Sequence, residues 1–149
     1  MHKIAMLLIA SLSFSLASCG QGDFLHADKA VVNLSPVDDH PSAGYMNLHG
    51  GPVDVALVGV TSDDVLRMEM HETTESGGMA SMAKLKEIPV PAGETVKLEP
   101  SGKHLMIWGV GAGSRKRGLL KMTLIFSNDD RIEIDAVIKN PGEAAPAAE

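Results

Sequence analysis

Four residues of this chain, His71, Met82, His104 and Met106, carry side chains that bind soft metals, and in order they read H-x10-M-x21-H-x-M. Imidazole and thioether together suit copper(I), which prefers nitrogen and sulfur donors to carboxylate oxygen. Thioethers also suit an oxidising compartment. Two thiolates there tend to close into a disulfide, whereas Met sulfur cannot, and it binds without losing a proton. Its weakness is oxidation to the sulfoxide. Met79 is a further thioether nearby and a candidate additional ligand. Imidazole must be neutral to bind, so affinity is expected to fall in acid, below about pH 6.5. Taken singly, the same residues also fit two packed methionines and two surface histidines, and their chemistry and spacing alone leave both readings open.

These side chains need strands to aim them. In Val65–His71, residues Leu66, Met68 and Met70 share one face, while Arg67, Glu69 and His71 share the other. The apolar face is expected in the core, with Met68 and Met70 as packing. By the same alternation His104 and Met106 project together, with Trp108 on their side, where it either shields a metal or packs. Gly77-Gly78 is expected to let a loop fold back and bring Met82 over the strand ends. Glu72, next to His71, is a candidate to orient the imidazole, or else a solvated carboxylate.

Short β-type runs fill the rest of the chain: Ala30–Leu34, Tyr45–Leu48, Val53–Val60, Lys84–Ile88, Thr95–Leu98, His104–Val110, Leu119–Ser127 and Arg131–Ile138. Turn residues separate them, among them Gly50-Gly51-Pro52, Pro91-Ala92-Gly93 and Asn128-Asp129-Asp130. No helical stripe stands out, and many short strands with frequent turns predict an all-β sandwich or barrel. The Pro-, Ala- and Glu-rich residues 140–149 are expected to be disordered.

Composition narrows the function. A net charge of -6 argues against nucleic acid, and the one basic cluster, Arg115-Lys116-Arg117, is expected to be a solvated loop. With 3% aromatic residues and nine Met, the core must be aliphatic and methionine-rich. A single Cys excludes an internal disulfide. No nucleophile–base arrangement, paired-carboxylate motif or phosphate loop stands out, so no enzyme is expected. An electron-transfer copper site would need a Cys thiolate, and the mature domain offers only Cys19.

Cys19 has another use. Met1-His2-Lys3 followed by the apolar stretch Ile4 to Leu16 has the layout of a secretory signal, too short to span a bilayer. Leu16-Ala17-Ser18-Cys19 resembles the bacterial lipobox, in which the Cys becomes the first mature residue and carries the lipid. Residues 1–18 then form the signal peptide, 19–28 a lipidated tether, and 29–139 the domain. The expected location is the bacterial cell envelope, facing the periplasm. Gly20 rather than Asp follows the Cys, which favours the outer membrane where the envelope is Gram-negative.

The stretch from Tyr45 to Ile138 resembles the PCu(A)C family of periplasmic copper chaperones. The ligand spacing matches without a gap, and so do Gly44-Tyr45-Met46, Leu57-Val58-Gly59-Val60, Met70-His71-Glu72, Ile88-Pro89-Val90-Pro91-Ala92-Gly93 and His104-Leu105-Met106. The resemblance implies a cupredoxin-like Greek-key β-sandwich that binds copper(I) near one end of the barrel through His71, Met82, His104 and Met106. It also implies delivery of copper toward the CuA centre of cytochrome c oxidase, beside Sco-type proteins. Two departures fall near the site. Lys103 stands where the family commonly has an aromatic residue, and Gly109 to Gly118 is rich in Gly, Arg and Lys where the family has a proline-leucine turn. Copper sequestration, or a lipoprotein sandwich that binds protein without metal, are the competing expectations.

Overall fold

The computed structural model describes residues 24–37 and 39–142. The signal segment, Cys19 and residues 143–149 lie outside the described residues, and no described helix is long and apolar enough to cross a membrane.

The described residues form ten strands and one short helix: β1 His26–Asn33, β2 Ser42–His49, β3 Val55–Thr61, β4 Arg67–Ser76, β5 Met79–Lys84, β6 Ile88–Val90, β7 Thr95–Leu98, β8 Lys103–Trp108, α1 Ala112–Arg117, β9 Leu119–Phe126 and β10 Arg131–Lys139. Their hydrogen-bonded order is β5-β4-β8-β2-β1-β10-β9-β3-β6, with β7 also on β2. All pairs are antiparallel except β1 with β10. β8 and β7 divide one edge of β2 between them, β8 taking Ser42–Gly44 and β7 taking Met46–His49. The all-β expectation holds, and the path curls so that β3 and β4 approach across an open seam.

Alternation fixes what goes inside. In β2 every second residue is buried, and in β9 Leu120, Met122, Leu124 and Phe126 point inward. Leu48, Leu57, Ile88, Leu105 and Ile107 complete a core with Phe126 as its one large aromatic. Each such side chain contributes about 1.5–3 kcal/mol by leaving water, before the opposing chain entropy is counted.

The structure departs from the sequence reading in several places. β1 takes in His26–Asp28, residues expected in the tether, because they pair with β2. Leu66 does not join the core face; it precedes β4 and is exposed. The expected strand Lys84–Ile88 is split between β5 and β6. The basic cluster is a helix, α1, and not a solvated loop. Its C-terminus is closed by Gly118 in the left-handed region (φ 72), whose N–H reaches Arg115 O. Buried Ser114 donates to Asp64 Oδ2 at 2.6 Å, and Arg117 donates to the same oxygen at 2.7 Å. The Ser114 hydroxyl first and the Arg117 guanidinium second hold the Asp64 carboxyl below its usual range. Ser114 and Arg117 of α1 thus fasten the turn between β3 and β4.

Candidate metal centre

The centre is built on three neighbouring strands. β4 and β8 pair so that His71 stands opposite His104 and Glu69 opposite Met106. Residues directly opposite on an antiparallel pair share a face, so both histidines and Met106 project from one surface. β5 adds Met82 opposite Thr73, two residues from His71 and on the same face. On the other side of β8, Met106 pairs with Ala43, where a small side chain leaves room. Three of the four sequence-derived residues, Met82, His104 and Met106, line one hollow of 270 Å³ together with Tyr45, Thr73 and Pro100. His71 adjoins it, its ring centroid 6.2 Å from that of His104. Bonds of about 2.0 Å from two imidazoles to one ion give this separation near a straight N–metal–N line, and about 1 Å less at a tetrahedral angle.

Hydrogen bonds set the proton positions. His104 is 7% exposed, and its Nδ1 lies 3.0 Å from the Gly102 carbonyl oxygen. A carbonyl only accepts, so Nδ1 carries the proton and Nε2 of the neutral ring is bare. In His71 the assignment is reversed. Nε2 donates to Glu69 Oε2 at 3.0 Å, which leaves Nδ1 bare, buried and without a partner among the described residues. Glu69 is held by Lys84 as well, at 3.0 Å. The His71 hydrogen bond first and the Lys84 hydrogen bond second pull its carboxyl down to about 2. Burial lifts the Tyr45 phenol above its ordinary value.

The remaining sequence candidates divide. Glu72 does not orient His71; it faces Lys103, whose Nζ donates to it at 3.0 Å. Glu69 takes that role, and alternation already put it on the face of His71. Met82 is not in a folded-back loop. Gly77 and Gly78, with φ of 60° and 78°, make a tight hairpin turn, and Met82 sits in a regular strand that follows it. Met79 pairs with Ser76, which faces away from His71 and Thr73, so the register puts Met79 on the opposite side of the hairpin. Trp108 shares the face of Met106, and the Arg67 guanidinium covers its ring at 3.9 Å. Met70 is core, as expected, and Met68 packs against it. A larger groove of 590 Å³ at the β3–β4 seam has no histidine in its lining and touches this centre only through Glu69 and Lys84.

Among the described residues, no group of three or more His, Cys, Asp and Glu side chains is placed to hold a metal. The face that carries His71, Met82, His104 and Met106 offers imidazole and thioether side by side, a donor set suited to a soft ion.

The LpqE-like family model matches residues 25–138. The chain belongs to the LpqE-like family. Lxx21020 of Leifsonia xyli subsp. xyli, which carries a lipoprotein name, is 31% identical over 121 residues, covering 80% of this chain and 72% of its own length. The LpqE-like chain also shares its fold with solved PCuAC domains. The copper-bound PCuAC domain from PmoF2 is 18% identical with a TM-score of 0.64, covering 80% of this chain and 96% of that one. The copper(I) form of DR1885 from Deinococcus radiodurans is 25% identical with a TM-score of 0.58, covering 85% and 84%. The cupredoxin-like sandwich expected from the sequence is thus the fold of this LpqE-like protein.

Proposed function

We propose that this protein binds copper(I) through His71, Met82, His104 and Met106 and passes it on as a chaperone of the cell envelope, held to the membrane by a lipid on Cys19. The observation that carries the reading is the His71–His104 pair, in which hydrogen bonds to Glu69 and Gly102 leave one bare ring nitrogen on each histidine, one of them buried with no other partner. A buried polar atom without a partner is costly unless something else satisfies it. The similarity in fold to PCuAC domains solved with copper supports the same reading.

Copper is cargo here, and transfer is ligand exchange. Two thioethers and two neutral imidazoles bring no negative charge, so they hold the ion less firmly than thiolates. Met82 is 54% exposed on the edge strand β5, which makes it the donor an acceptor's ligand replaces first. The buried His104 is the donor released last. The acceptor we favour is the CuA site of cytochrome c oxidase, directly or beside a Sco-type protein, on the strength of the sequence resemblance.

Anaerobic titration of residues 20–149 with copper(I) against a chromophoric chelator tests the binding, beside the His71→Ala/Met106→Ala double variant. One-to-one competition that the variant loses supports the site. A wild-type domain that never competes with the chelator leaves an anchored sandwich with a different purpose.

A further inference from the structure

At the end of the barrel where β1 begins, Phe24 is 67% exposed and Val53 is 58% exposed. With Leu25 and Pro52 they border a hollow of 400 Å³. Isolated apolar residues on a surface are ordinary, but a contiguous group marks a surface that meets something. The chain's route at this end is fixed by the fold. A Cβ on Gly51 would stand 2.9 Å from the Leu25 backbone nitrogen, so only glycine lets the incoming chain lie against the turn before β3. Phe24 is five residues after Cys19, a reach of at most about 18 Å. A lipid on Cys19 therefore brings a bilayer to this end of the barrel.

We propose that the Phe24–Val53 end is a membrane-seating surface, with Phe24, Leu25, Pro52 and Val53 lying at the boundary between headgroups and acyl chains. The inference rests on the lipid anchor of the proposed function and is independent of copper. Charge contributes little, since Asp54 and Asp130 flank the patch with Arg131 beside them. Adhesion comes from apolar burial, and a zwitterionic bilayer serves as well as an anionic one. β1 runs from this end to Asn33, about 23 Å at strand rise, where β10 and Gly118 adjoin it. Seating thus turns α1 away from the membrane, and with it Met106, which the register through Ala43 sets level with Asn33.

The test uses the full mature chain, lipidated at Cys19, with Val53→Cys or Lys116→Cys carrying an environment-sensitive nitrobenzoxadiazole label. Lys116 is an exposed residue of α1, at the far end. Each is placed in phosphatidylcholine vesicles with and without acyl-chain nitroxide lipid. The proposal expects a blue shift and severalfold quenching at position 53, and neither at 116. Equal quenching at the two positions, or none at 53 while mass spectrometry finds the lipid, overturns the seating alone. A Cys19 without lipid in that spectrum overturns the anchor and the seating with it, and leaves the copper titration untouched.

Discussion

Glu69 accepts the Nε2 proton of His71 at 3.0 Å, and that one contact decides which nitrogen of His71 is left to bind. The carboxylate is itself fixed by Lys84 from the edge strand β5, at 3.0 Å. A proposed ligand of one strand is therefore oriented by a neighbour two residues away and stiffened by the hairpin that also supplies Met82. Partners of this kind fix the ring orientation and raise the basicity of the ligand nitrogen.

Glu69→Ala is expected to weaken copper(I) affinity about 10–100-fold. Glu72→Ala, which removes only the partner of Lys103, is expected to leave it unchanged. Chelator competition on both variants separates them; equal losses would mean that local charge, and not the hydrogen bond, is what matters.

The same carboxylate gives an acid dependence of stability in the metal-free protein. Its ordinary value of 4.5 is lowered to about 2 in the folded state. A lowered folded-state value stabilises the fold above the unfolded value and loses that contribution as pH falls toward the folded one. The Tm is thus expected to drop between about pH 4.5 and about pH 2, and Glu69→Gln to flatten this part of the curve. Parallel thermal scans of both proteins across the window provide the check.

Met82→Leu and Met79→Leu conserve volume and lie on the same exposed strand, so neither should disturb folding. The hairpin register separates them in binding. Met82→Leu is expected to weaken copper(I) binding by about tenfold or more, which corresponds to about 1.4 kcal/mol, whereas Met79→Leu has no effect. A loss at position 79 that matches the loss at 82 would show that the register does not select the ligand.

A Cβ on Gly50 would lie 1.9 Å from the Pro91 carbonyl oxygen, whereas one on Gly59 meets only Ile125 at 3.7 Å. Gly50→Ala is expected to destabilise the domain by about 1–3 kcal/mol or more, and Gly59→Ala to stay within about 0.5 kcal/mol. Urea unfolding midpoints measure both.

The sequence by itself determined which atoms are available for chemistry and which face of each strand they occupy. Two-residue alternation placed Glu69 with His71, and His104 with Met106 and Trp108, because the pleat leaves no other choice within a strand. It placed Met70 in the core for the same reason. Local alternation says nothing about which strands lie side by side. Only the tertiary pairing of β4 with β8 put His71 opposite His104 across 33 residues of chain, and only the Gly77–Gly78 turn fixed the register that puts Met82 on the face of His71 and Met79 on the other. The missed strand β5 is exposed throughout, so it carries no apolar alternation to betray it. Helix α1 is only six residues long and is held by Asp64 from the β3–β4 turn, a contact that charge counting along the chain cannot supply. Patterns within a strand are written by the backbone; the meeting of strands is decided by the core they bury together.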